Sequence, residues 1–196
     1  QGLVGFKNTQ RLTPLQGAVP LSTTLDTSCA ITRSVRDAVL LHGILAARTP
    51  MPLAKPVHAL RLALPTTLML DGLDADVARA FERALDLLRA AGALIEDLPL
   101  SPLAELAGLQ ANGGFTAAES WAWHRSRLAV READYDPRVA QRIRRGEAIS
   151  AADYIDLLQA RSGWISRVQA ELQGFDAVLA PTVPMVAPAI APLLGS

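Results

Sequence analysis

Along this chain the spacing of apolar residues shifts from irregular to helical, then to strand-like, then back to helical. No period holds over residues 1–30, where Gly2, Gly5, Pro14, Gly17 and Pro20 break the chain into loops and short extended pieces. Ser34-Val35-Arg36-Asp37 then has the form of a helix-starting capping box, with Asp in place of the preferred Glu. Val35, Val39, Ile44 and Leu45 give that helix a broad apolar face up to about Ala47. Pro50, Pro52 and Pro56 mark residues 48–58 as a surface linker. Leu60–Leu64 reads as a short strand closed by Pro65. Asp74 is placed to cap a helix running to Ala91, in which Val77, Phe81, Leu85 and Leu88 form one buried stripe. Gly92 stands where a left-handed glycine ends a helix, and Ala93–Leu98 reads as the next strand. Strand, helix and strand in this order point to a right-handed crossover onto a parallel sheet.

The remainder is mainly helical. Pro102–Leu109 is short. Thr116-Ala117-Ala118-Glu119 has the pattern of a full capping box opening a helix to about Val130. Asp136-Pro137 is a cap followed by proline at the first helical position, with Gly146 as the expected stop. Ser150-Ala151-Ala152-Asp153 starts the longest helix, with Tyr154, Leu158, Ile165, Val168 and Leu172 as its core face and Gly174 as its end. Ala177–Ala180 reads as a final strand closed by Pro181-Thr182-Val183-Pro184. The expected class is therefore α/β, with short mixed-sheet strands and a helix-rich second half. Its regions are a loop-rich segment with one helix (1–58), strand–helix–strand (59–98), and a mainly helical part with a final strand (99–196). Three strands of about five residues leave sheet edges unpaired, so the sheet is expected to be incomplete and the isolated chain to expose apolar surface.

Composition narrows the function. Of 196 residues, 50% are hydrophobic and 19% charged, with net charge zero, which describes a globular chain. There is no surplus of positive charge to neutralise phosphates, so no nucleic-acid partner is expected. No apolar run is long enough to span a bilayer, so no membrane partner is expected either. Cys29 is the one cysteine, which excludes an intrachain disulfide and a thiolate metal site. It fits a cytoplasmic chain and reads as a buried small hydrophobe. His42, His58 and His124 lack metal-ligand spacing, and neither a metal nor another cofactor is implied. The first residue is Gln1, not Met, so the chain is expected to begin partway through a gene product.

Several side chains have the chemistry of a site. Phe115, Trp121, Trp123 and His124 form the densest aromatic cluster; it suits core packing or contact with a substrate acyl group. Tyr135, Arg138 and Arg142 suit a polar or anionic substrate end, the two arginines being four apart on one helix face; the competing reading is a solvated basic face through Arg144 and Arg145. Thr182 lies just beyond a strand end, where ligands collect in open α/β sheets. Glu119 and His124, five apart, fall on different faces and do not form a pair. Ser22, Ser28 and Ser34 lack a nucleophile elbow and read as loop and cap serines.

Gly2-Leu3-Val4-Gly5-Phe6-Lys7, Pro20-Leu21-Ser22, Leu25-Asp26-Thr27, Thr32-Arg33-Ser34-Val35, Tyr135-Asp136-Pro137-Arg138-Val139, the Ser150–Leu158 helix start and Asp176–Pro184 occur in one order over nearly the whole chain. That ordered set resembles the amidase signature family. The resemblance implies hydrolysis of an amide C–N bond by a Ser–Ser–Lys triad, in which a lysine acts through a bridging serine on a serine nucleophile. It also implies that the triad lies before the Gly2–Lys7 stretch, so that none of it belongs to this chain and Lys7 is not the catalytic lysine. What remains is scaffold and the wall of a substrate pocket, for which Phe115, Trp121, His124, Tyr135, Arg138 and Thr182 are the candidates. The expected substrate is a small carboxamide or a urea-derived amide, and the chain alone is expected to be inactive. Alternatives are a non-catalytic scaffold or binding chain, as a homodimer or with a complementing chain, and a tRNA-dependent amidotransferase subunit. The last is disfavoured because Thr27 replaces a glutamine usual there and Ser28-Cys29-Ala30 replaces a Gly-Pro sequence.

Overall fold

The computed structural model describes residues 2–49 and 55–191. In order along the chain these form β1 (Val4–Gly5), β2 (Ile31–Thr32), α1 (Val35–Leu45), β3 (Arg61–Pro65), α2 (Ala75–Ala90), β4 (Leu94–Leu98), α3 (Leu106–Leu109), α4 (Gly114–Arg131), α5 (Pro137–Arg144), α6 (Ala151–Glu171) and β5 (Ala177–Val178). Pro50 and Pro52 of the expected linker lie outside the described residues; Pro56 precedes a single 3₁₀ turn, Val57–Ala59. Contacts divide the chain into two compact units, each discontinuous in sequence: Gln1–Pro52 with Ala107–Arg161, and Leu53–Leu106 with Ser162–Ser196.

In the second unit the sheet has the order β4-β3-β5, with both pairs parallel. Central β3 buries Leu62, Ala63, Leu64 and Pro65, which is why its sequence is an unbroken apolar run with no alternation. Asp176 sets the register of β5: its carboxylate accepts from the Arg61 N–H at 2.8 Å and from Lys55 Nζ at 2.6 Å, and its own N–H donates to the Arg61 carbonyl at 2.7 Å. Helix α2 turns the expected stripe inward, with Leu85 fully buried and Val77, Phe81 and Leu88 half-buried. It ends in a Schellman motif, in which Gly92 N–H donates to the Arg89 carbonyl and Ala93 N–H to Leu88. Gly92 has φ +92°, and a side chain there would also meet His58 Cβ at 2.8 Å. Asp74 does not cap with its side chain; its carboxylate instead accepts from Val186 N–H at 3.0 Å. Trp164 anchors the latter part of α6 by donating to the Pro102 carbonyl at 2.7 Å.

In the first unit, β1 and β2 form a two-residue antiparallel ladder, and α1 begins where expected, with Ser34 Oγ accepting from Asp37 N–H at 3.1 Å. Its apolar face departs from expectation. Val35, Val39, Ile44 and Leu45 are exposed, and Ala38 and Gly43 are the buried positions. A helix apolar on nearly every side cannot be oriented by periodicity. The core of this unit is Leu128, Ala140 and Ile143, with Trp121 and Tyr135 packed against them.

Four other expectations shift in this unit. Helix α4 starts at Gly113–Gly114, both with positive φ, so Thr116 and Glu119 lie inside it and form no capping box. Gly146 does not stop α5; it is buried in the 3₁₀ turn Arg145–Ala148, pressed against α4. On α6, Leu157 takes the partly buried position expected of Leu158, which is exposed. The Ser150–Asp153 box does form: Ser150 N–H donates to the Asp153 carboxylate at 2.8 Å and Asp153 N–H to Ser150 Oγ at 3.1 Å. Asp136 caps α5 by accepting from the Arg138 N–H at 2.8 Å. Cys29 is exposed, in the extended segment leading to β2, and not buried as its residue type suggested.

Candidate functional site

Two polar assemblies sit on different faces of α4. The first is built around Glu119, held at 9% exposure. Ser22 Oγ donates to Oε2 at 2.6 Å and the Thr24 N–H to the same oxygen at 3.0 Å. Tyr154 OH donates to Oε1 at 2.6 Å, and the Thr24 hydroxyl makes a short bond to that oxygen. Ser22 is fully buried, and Asp26 fixes the loop around it by accepting from the Leu21 and Ser22 N–H groups at 2.9 and 3.0 Å. Burial by itself would raise the Glu119 carboxyl. The hydroxyls of Ser22, Thr24 and Tyr154 and the Thr24 amide outweigh it, so the group titrates below its ordinary value. A carboxylate offers about four lone-pair sites, and all are used. An ionised, saturated carboxylate is a clamp on the Pro20–Thr27 loop and not an acid or base. Phe115, one turn earlier on the same face, is buried edge-on to Tyr154 at 5.8 Å between ring centres, with Arg161 on its ring.

The second assembly is aromatic. His124 Nδ1 lies 2.8 Å from Tyr135 OH, and its ring meets Trp123 and Tyr135 edge-on at 4.5 and 5.5 Å. These three line a cleft of about 310 Å³ with Arg127, Arg131 and Asp134. Arg127 lies over the Trp123 ring at 5.9 Å, and Arg131 pairs with Asp134 at 2.6 Å. Partial burial first, and the Arg127 charge second, lower the His124 pKa below its ordinary value. Replacing Arg127 by Gln is therefore expected to move the His124 titration upward, toward the ordinary value of about 6.5. Imidazole proton shifts followed by NMR read this directly, and an unmoved midpoint would remove the Arg127 contribution. His124 also borders a second cleft of about 620 Å³ with Pro20, Leu21, Ser120 and Arg142.

Of the residues singled out in the sequence, the fold thus brings together His124 and Tyr135. It turns Trp121 against the core and Phe115 onto another face. Arg138 pairs with Asp136 at 2.9 Å, a contact that holds the Asp136 carboxyl down at about 2. Thr182 is exposed beyond β5, in the other unit. Arg127 and Arg131 were missed, although their spacing of four and eight from Trp123 puts all three on one helix face. Nothing local in the sequence pairs Ser22 or Tyr154 with Glu119, which lies 97 and 35 residues away from them. Among the described residues no group of three His, Cys, Asp or Glu gathers as a metal site, and no helix is long and apolar enough to cross a membrane.

The amidase family model matches residues 1–194. This chain belongs to the amidase family. It is 32% identical to the 2-amino-5-chloromuconic acid deaminase of Comamonas testosteroni, over 97% of the chain and 42% of that protein. It is 37% identical to the indoleacetamide hydrolase of Agrobacterium vitis over 54% of the chain and 22% of that protein. A solved amidase crystal structure superposes on it with a TM-score of 0.86 at 32% identity, covering 96% of this chain and 42% of that one. The chain therefore spans less than half the length of these relatives. Its mixed α/β fold, with short strands and long helices, is that of amidase-family enzymes.

Proposed function

We propose that this chain is a catalytically incomplete part of an amide hydrolase. It supplies scaffold and substrate-pocket wall, while the Ser–Ser–Lys machinery comes from outside its 196 residues. The observation that supports this most directly concerns lysine. A serine hydroxyl is a poor nucleophile without an adjacent base, and the family chemistry takes that base from lysine. The chain has two lysines. Lys55 is ion-paired with Asp176 at 2.6 Å, and Lys7 donates to the Asn8 carbonyl at 2.9 Å. No serine hydroxyl partners either of them among the described residues, and the fully buried serine, Ser22, is committed to Glu119.

The substrate class that fits best is a small carboxamide. Its acyl end would lie along the wall made by His124, Tyr135 and Trp123, with Arg127 or Arg142 available to an anionic substituent. The names of the Comamonas and Agrobacterium relatives, a deaminase of a muconic acid and a hydrolase of indoleacetamide, agree with an unsaturated acyl group. The test is ammonia release from indole-3-acetamide and benzamide by the purified chain. No turnover above background is expected. Turnover that disappears on replacing one of the chain's own serines would overturn the proposal.

A further inference from the structure

Two clefts of the first unit meet at one side chain. The aromatic cleft of about 310 Å³ and the wider cleft of about 620 Å³ share two lining residues, Val19 and His124. A side chain that faces both of two neighbouring clefts stands between them. Val19 is 71% exposed and belongs to the rim, whereas His124 is half-buried and forms the inner part of the divide. Its ring is held there. Nδ1 is hydrogen-bonded to Tyr135 OH at 2.8 Å, and the ring packs edge-on against Trp123 and Tyr135, two walls of the smaller cleft. Beyond the divide the lining gains aliphatic chains, those of Leu21, Val139 and Ile143. The wider cleft thus offers apolar surface that a group seated in the aromatic cleft does not reach.

We infer that His124 is a specificity-determining residue for acyl length: it ends the aromatic cleft, so that the wall takes an acyl group of one ring and refuses a second ring in line with it. This rests on the proposed function above, which lays the acyl end along this wall, and names the residue that limits it. Size supports the assignment. Sites for small organic ligands run from about 300 to 1,000 Å³; the aromatic cleft alone stands at the lower limit of that range, and the two clefts joined would stand near its upper end. Rigidity supports it as well, because the neighbouring walls are not free to close over the gap that a smaller side chain would leave. On one side the Pro20–Thr27 loop is pinned to α4 by Ser22 Oγ and the Thr24 N–H, which donate to Glu119 at 2.6 and 3.0 Å. On the other stands the core of Leu128, Ala140 and Ile143. Packed surroundings relax only in part around a truncated side chain, so open space remains.

The experiment measures binding to the full chain, so it needs no turnover. The probes are benzoate and biphenyl-4-carboxylate, the acids that hydrolysis of a one-ring and a two-ring carboxamide would release. Isothermal titration calorimetry gives each affinity. The His124 imidazole proton signals, assigned by their loss in His124→Ala, show whether the ligand sits at this wall. The unaltered chain is expected to bind benzoate, with those signals shifted, and to bind the biphenyl acid about tenfold more weakly. His124→Ala should tighten the biphenyl acid by about tenfold and leave benzoate unchanged. Tyr135→Phe keeps the Tyr135 ring but frees the imidazole, so it should tighten the biphenyl acid by a smaller factor; it carries the test if circular dichroism finds the alanine variant unfolded. Equal affinity of the unaltered chain for the two acids overturns the inference. So does a biphenyl affinity that neither variant raises, or a gain that benzoate shares. Benzoate that leaves the His124 signals unmoved removes this wall as an acyl site and the partition with it. Amide turnover by the chain alone would defeat the proposed function and leave the partition standing.

Discussion

Glu119→Ala is expected to destabilise the first unit by about 3–5 kcal/mol, in the range seen when one partner of a buried charged network is removed. The deletion takes away more than a side chain. It leaves the Ser22 and Tyr154 hydroxyls and the Thr24 N–H and hydroxyl without their acceptor, and each buried donor so stranded costs on the order of 1–3 kcal/mol before relaxation. Urea unfolding followed by tryptophan fluorescence measures it, since Trp121 and Trp123 lie on the same helix. Glu119→Gln should fall between, because an amide keeps one acceptor oxygen but turns a donor toward groups that are themselves donors. A midpoint for the alanine variant equal to that of the parent would show that Glu119 is not the clamp.

The same carboxylate gives the acid limb a definite sign. Its folded pKa lies below its unfolded value of about 4.3. Its contribution is therefore complete above that pH and is lost as pH falls through the lower folded value. The Gln variant, with nothing to titrate, should lose less stability on acidification than the parent.

Gly146→Ala is the second large effect. A methyl group there would overlap the Ala117 carbonyl oxygen and lie 2.6 Å from Trp121 Cβ. No rotamer change relieves a clash with backbone, so α4 and the Arg145–Ala148 turn must separate. A cost of about 3 kcal/mol is expected, the upper end of ordinary overpacking. It should appear in the same urea titration, with a weakened near-ultraviolet tryptophan signal. Gly108→Ala is the matched control: nothing stands within 4 Å of its added carbon, so stability should hold or rise slightly. Equal behaviour of the two variants would contradict the close approach at Gly146.

These two residues also mark where the sequence was readable and where it was not. Local chemistry was legible. The α2 stripe, the Schellman glycine, the caps at Ser34, Asp136 and Ser150, and the parallel β3–β4 pair follow from spacing within a few residues, and the fold realises them. Glu119 misled because Thr116–Glu119 satisfies a capping pattern by composition. The true start, Gly113–Gly114, uses left-handed glycines with no side-chain cap. Gly146 misled in the same way, since a glycine near a helix end suggests a stop, while its actual reason is a backbone 29 positions earlier in the chain. The aromatic cluster was found as a set but not as a geometry. Helical rotation sends Phe115, Trp121 and His124 to different neighbours, and only tertiary packing decides which of them share a wall.

The Glu119 clamp has a consequence for how the protein is made. Ser22 leaves the ribosome 97 residues ahead of Glu119, and Thr24 leaves 130 ahead of Tyr154. At about 5–20 residues per second, the nascent loop waits roughly 5–20 s for its carboxylate. During that interval the Ser22 and Thr24 hydroxyls lack the acceptor they are built for, and the exposed leucines and valines that follow are open to chaperones and proteases.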